Sequence, residues 1–131
     1  MKSNNLKNVL TYGHVKMNNL RNYIDDTDIF LLPPSKNHPS ALWTSPLKLC
    51  EYFALRKPVI ASDIPALRDW LTNDEVYFFE ADNHISLSNT IDYVFKNYKV
   101  AENKIINSDK FILDKNYKKR SKIILNKLLL V

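Results

Sequence analysis

Four short apolar runs frame this chain: "NVLTY" (residues 8–12), "DIFLLPP" (28–34), "PVIAS" (58–62) and "EVYFFE" (75–80). Between them apolar residues recur at helical spacing, as in Val15, Leu20 and Ile24, then Leu49, Cys50 and Phe53, then Ile85, Leu87, Ile91 and Val94/Phe95. Runs that are apolar throughout suit strands covered on both faces, and strands alternating with helices suit a parallel sheet. The pattern predicts an α/β fold: a Rossmann-like parallel sheet of about four strands flanked by helices. Pro33-Pro34 ends the second run, because proline donates nothing to a ladder. Lys57-Pro58 closes the helix predicted over 46–56, because the residue before proline is pushed out of helical geometry. A further helix is predicted in "DIPALRDWL" (63–71), and only helix from Val100 onward, ending in "NYKKRSKIILNKLLL".

At 131 residues and 45% hydrophobic content, the chain supplies one core, and we see no repeat, low-complexity segment or boundary that would divide it. It reads as a single unit over 1–131 whose last part, 100–131, is a basic helical segment. No apolar run approaches the roughly 20 residues that cross a bilayer, and the first residues lead into no signal-peptide core. The expectation is a soluble, cytoplasmic chain. Cys50 is the single cysteine, expected as a buried small hydrophobe. The net charge of +5 is unevenly spread: from Lys104 on there are eight Lys or Arg against two acids, so the rest of the chain is close to neutral. A charge confined to the tail argues against a nucleic-acid partner. It reads as the solvated face of a helix, the alternative being contact with an anionic partner or the inner membrane surface. Gly13 is the only glycine, which excludes Gly-rich phosphate loops, since these need several glycines for close backbone approach.

A phosphate site must therefore be built otherwise, and the segment after the second run offers a means. Residues 35–44 form a polar loop between a predicted strand and a helix that opens with Ser45, a favoured N-cap, and Pro46, suited to the first helical position. The free N–H groups of Leu47 and Lys48 carry partial positive charge suited to an anion. Lys48 itself opposes the dipole preference, and an anion opposite it would resolve that conflict. Glu51, six residues after the cap, can accept from two neighbouring hydroxyls, as a ribose or sugar diol presents them; its plain role is a surface Glu paired with Arg56 or Lys57. Trp43 either stacks on a sugar face or packs on Leu42 or Leu47. Asp26-Thr27-Asp28 reads as capping rather than as a metal site. His14, His38 and His84 lack metal-ligand spacing, and Ser40, Ser45 and Ser62 sit in no nucleophile elbow.

The stretch "SPLKLCEYFALRKPVIASDIPAL" resembles the donor-binding segment of family 4 retaining glycosyltransferases with the GT-B fold, where sequences of the type "SPLKxxEYxAxxKPVIASDxPAL" are common. "NVLTYGHV" resembles their strand and glycine turn, "IDDTDIFLLPPS" their "aDvfvlPS" strand, and "NYKKRSKIIL" their closing helix. The resemblance implies a C-terminal donor-binding domain for a nucleoside-diphosphate sugar, taken as substrate with no cofactor and no metal. It places Glu51 on the ribose hydroxyls, Thr44, Ser45 and Leu47 where backbone amides hold the diphosphate and sugar, Lys48 beside them, and Gly13 and His14 at the nucleobase pocket.

Several departures bear on activity. Trp43 stands where the motif has its first Glu, and Thr44-Ser45-Pro46 replaces the usual Gly-Phe-Gly run. The family's N-terminal acceptor domain, and the Arg and Lys that neutralise the leaving diphosphate, do not precede Asn8. The expectation is a partial donor domain, inactive alone, that works with an acceptor domain or partner chain or associates with itself. A non-catalytic binding or assembly subunit is the runner-up, and an epimerase relative the third reading.

Overall fold

The structure, a computed structural model, describes residues 7–44, 47–114 and 117–129. Helix α1 (Met17–Ile24) precedes strand β1 (Phe30–Leu32). A 3-10 turn (Pro39–Leu42) and helix α2 (Leu47–Ala54) lead to β2 (Val59–Asp63). One helical turn, α3 (Pro65–Arg68), leads to β3 (Tyr77–Glu80), and helices α4 (His84–Lys96), α5 (Tyr98–Asp114) and α6 (Tyr117–Leu129) follow. The strands form a parallel sheet in the order β1-β2-β3. Phe30 pairs with Val59 and Leu32 with Ala61, while Ile60 faces Tyr77 and Asp63 faces Glu80.

This register sorts the side chains. Phe30, Val59, Ala61 and Val76 point to one face, where Leu49 and Phe53 of α2, Ala66 and Leu67 of α3 and Phe111 of α5 complete the larger core. Phe30 stacks on Tyr52 at 4.4 Å between ring centroids, and Phe53 meets Phe111 edge to face at 5.5 Å. On the other face Ile60 and Phe79 pack with Val94, Leu87 and Ile91 of α4. That helix starts where the sequence supplies a cap: the Asn83 side chain accepts from the N–H groups of Ile85 and Ser86. Helix α5 is pinned by an Arg56–Asp109 ion pair of 2.8 Å, by the Tyr98 hydroxyl donating to the Asp28 carbonyl, and by Lys104 donating to the Asn73 carbonyl.

Three expectations are corrected. Residues 8–12 form no strand, so the sheet has three strands. Among the described residues nothing pairs with the outer edge of β1, and an extended segment without a ladder has little to hold it; Val9 and Leu10 stay exposed, and the Tyr12 ring packs on Tyr23 instead. Strand β1 is not covered on both faces, because α4 lies over β2 and β3 and leaves Leu31 exposed. Cys50 is exposed, not buried. One residue is about 100° of helix rotation, and the buried stripe of α2 runs through Leu49 and Phe53, four apart, which turns Cys50 outward.

Phe53 is 1% exposed and bridges α2 to α5. Phe53→Ala is expected to cost about 3–5 kcal/mol, through lost transfer energy and the cavity left behind. Phe95→Ala, on the exposed side of α4, is expected to stay within about 0.5 kcal/mol. Urea unfolding midpoints of the two variants check the contrast.

Candidate functional site

Because the strands are parallel, Pro33, Ile64 and Ala81 all leave the sheet at one edge. The loop after β1 is the longest of the three. It is held by Asp82, whose Oδ2 accepts from the Ser35 hydroxyl at 3.1 Å, the Lys36 backbone N–H at 3.0 Å and the Asn37 side-chain amide at 3.4 Å. Asp82 has φ +64, a left-handed backbone that Asp tolerates better than most residues, and this turn aims its carboxylate across β2. The 3-10 turn is capped by His38, whose Nδ1 accepts from the Ser40 N–H, and it packs on α3.

Beyond that turn the predicted site residues come into view. Trp43 is 73% exposed, and Leu42 and Leu47 are exposed as well; Thr44 is half-buried. Ser45 and Pro46 lie outside the described residues. Leu47 opens α2, and Lys48 and Glu51 share its solvent face, Nζ to Oε2 3.1 Å apart. Glu51 thus pairs with Lys48 rather than with Arg56, which bonds Asp109, or with Lys57. An exposed pair of this kind contributes about 0.3–0.5 kcal/mol, so either partner is cheaply recruited by another charge. Gly13 has φ +64, which is the reason for glycine there, and a Cβ would meet nothing. It and His14 are exposed, and no hydrogen bond or ion pair among the described residues joins them to α2. The loop after β1 therefore brings Trp43, Thr44, Leu47, Lys48 and Glu51 into one segment, with Gly13 and His14 on a separate one. Thr27, within the Asp-Thr-Asp run, donates its hydroxyl to the Tyr23 carbonyl at 3.3 Å, a helix-end contact.

Two clefts open at the same edge. One, of about 510 Å³, is bordered by Lys36, Asp63, Arg68, Asn73 and Glu80. In it Arg68 grips Asp63 with two hydrogen bonds of 2.7 Å and lies 3.6 Å over the Phe78 ring. The second, of about 270 Å³, is bordered by Pro33, Ser62, Asp82 and Asn83, and the buried Ser62 hydroxyl has no hydrogen-bond partner. Lys48 and Glu51 line neither cleft. Asp63, Arg68 and Asp82 were not singled out from the sequence. An Asp five residues before an Arg is a local signal that could have found the first pair, whereas the partners of Asp82 are 45 to 47 residues away and leave no local trace. Among the described residues no group of three or more His, Cys, Asp or Glu could hold a metal ion.

Hydrogen bonds from Arg68 hold the Asp63 carboxyl below its ordinary range, with partial burial opposing and the guanidinium charge assisting. A carboxylate whose folded value is lowered contributes stability above its unfolded value of about 3.9 and loses it as pH falls through the folded value. Asp63→Asn is therefore expected to lose about 0.5–1 kcal/mol at neutral pH, a figure discounted for exposure. The gap from the parent closes as pH drops below that range. Urea midpoints of both proteins across acidic pH measure it.

The family model for glycosyl transferases group 1 matches residues 1–111. Among solved structures, a glycosyltransferase from Rickettsia africae ESF-5 is similar, with 21% sequence identity and a TM-score of 0.56 over 79% of this chain and 28% of that one. At that identity the likeness shows the fold alone, and the chain spans little more than a quarter of that enzyme's length. No curated protein matches the chain.

Proposed function

The chain belongs to the glycosyl transferases of group 1, and from that premise we propose that it is the donor-binding part of a retaining, family 4-like enzyme using a nucleoside-diphosphate sugar. The observation that carries this reading is the long loop from β1 to the start of α2. It joins the carboxyl end of β1 to the start of α2, the helix that carries Leu47, Lys48 and Glu51, and the carboxyl ends of strands are where open α/β sheets take their ligands.

In this reading the first-turn amides of α2 and Lys48 take the diphosphate, and Lys48 stabilises the charge that grows on it as the sugar leaves. Lys48 then exchanges its contact with Glu51 for the phosphate. Glu51 is freed to accept from the ribose hydroxyls. Trp43, exposed at the rim, offers an aromatic face to the sugar, and Gly13 with His14 borders the base. Retention follows from the family resemblance. The acceptor is held by a second half, which this chain meets through the open edge of β1, and the chain alone turns over no substrate.

The second reading, a non-catalytic donor-domain subunit, is favoured by one feature: Trp43 occupies the position of the motif's first Glu, so no carboxylate meets the transferred sugar there. Product formed from a nucleotide sugar once an acceptor-binding half is supplied decides for the enzyme. Nucleotide binding without product decides for the subunit.

Titration calorimetry with uridine and guanosine diphosphates tests the site itself. Lys48→Ala and Glu51→Ala are each expected to weaken binding about tenfold, the loss of one charge-assisted contact. Affinity unchanged in both variants, or no binding of either nucleotide, rules out this site.

A further inference from the structure

Strand β3 is an edge strand, and β2 separates it from the open edge of β1. Helix α4 packs beside it, and between the two runs a cleft of about 540 Å³, within the range of about 300–1,000 Å³ of small-molecule sites. No side chain that borders this cleft carries a formal charge. Ile85, Asn89 and Tyr93 recur every four residues, which sets them on one side of α4, and all three are exposed. The Ser86 hydroxyl accepts from the Glu80 backbone N–H, and the Thr90 hydroxyl donates to the Ser86 carbonyl; the first keeps its own hydrogen and the second its lone pairs. Tyr77 meets Tyr93 edge to face at 6.0 Å between ring centroids, and its hydroxyl is buried with no hydrogen-bond partner among the described residues. Such a group is costly to leave unpaired. Burial pushes its pKa up, and Tyr93 adds to the shift, so it stays a neutral hydroxyl. Lys104, 4.5 Å from the Tyr77 ring centroid, is committed to the Asn73 carbonyl.

We propose that this cleft is a subsite for a neutral saccharide, separate from the nucleotide site on α2 and independent of it. The exposed Tyr93 ring offers its face to the C–H groups of a sugar. The Asn89 amide and the Ser86 and Thr90 hydroxyls offer donors and acceptors to its hydroxyls. A sugar hydroxyl, directly or through one water, gives Tyr77 the partner it lacks. The absence of charge selects this guest over a nucleotide, a phosphorylated sugar or a nucleic acid, each of which calls for cations. The second half required by the proposed function meets the chain at β1, on the opposite side of the sheet. A peptide strand is refused, because the Glu80 N–H is bonded to Ser86 and its carbonyl accepts from the Asn83 N–H, which closes the carboxyl end of a four-residue edge. A second copy related by a two-fold axis would set this hollow against the same hollow and leave a void.

Amide spectra of the nitrogen-15-labelled full chain, titrated with cellotriose, maltotriose and chitotriose, test it. At least one of these neutral trisaccharides is expected to bind and to shift the amides of Ser86, Asn89, Thr90 and Tyr93. Tyr93→Ala is expected to weaken that binding about tenfold and Asn89→Ala about fivefold, whereas Phe95→Ala, on another side of α4, leaves it unchanged. All three side chains are exposed, so the variants are expected to keep the dispersed spectrum of the parent. Excess uridine diphosphate is expected to leave the saccharide in place, and because nucleotide titration reads the α2 site separately, either site can fail alone. No shift with any of the three sugars, shifts gathered on α2 instead of α4, displacement by uridine diphosphate, or affinity unchanged in both Tyr93→Ala and Asn89→Ala overturns the proposal. A dimer in sedimentation that Tyr93→Ala dissociates overturns it in favour of self-association.

Discussion

Strand β2 is the constraint on which the rest depends. It is hydrogen-bonded on both sides, to β1 and to β3, in parallel, and both of its faces are covered, with Ile60 and Ala61 fully buried. Parallel partners cannot be joined by a tight turn, so each connection must cross over the sheet. Here α2 and α3 make those crossings on one face, and α4 returns on the other. The carboxyl ends of all three strands are thereby gathered at one edge. Backbone leaving a buried strand there is the natural place for polar and charged groups, since everything behind it is apolar.

How that edge is fastened differs from how it is charged. Asp82 ties the loop after β1 to the turn after β3, with three donors converging on one carboxylate oxygen, and Arg68 with Asp63 fixes the end of β2. These contacts set the loop's course toward α2. Lys48 and Glu51, by contrast, hold each other in an exposed i,i+3 pair that contributes little to stability. The frame of the edge thus keeps its geometry while the charged groups of α2 are only weakly committed to each other. Leu42, Trp43 and Leu47 are exposed in the same stretch of chain.

Much of this architecture was legible in the sequence, and particular residues show why. Ile60 and Ala61 sit in an unbroken apolar run that only a strand covered on both faces can bury, and Ile85, Leu87, Ile91 and Val94 repeat at the spacing of the helix that α4 forms. Pro33-Pro34 and Lys57-Pro58 stop their elements by covalent geometry. The failures share one cause. "NVLTY" has the composition of a strand, yet a strand exists only if another lies beside it, and composition cannot supply that neighbour. Leu31 and Cys50 belong to apolar patterns, yet whether a side chain is covered depends on which helix reaches it.

The amino-acid sequence by itself determined most of the element types, the parallel class of the sheet, the uneven distribution of charge and the family, because these follow from local propensity, periodicity and motif. Only the tertiary structure decided that the sheet has three strands, that Asp82 braces the loop after β1, and that Lys48 is paired with Glu51. Each of these depends on what lies across space rather than along the chain, and packing between distant segments is settled only when the whole core closes.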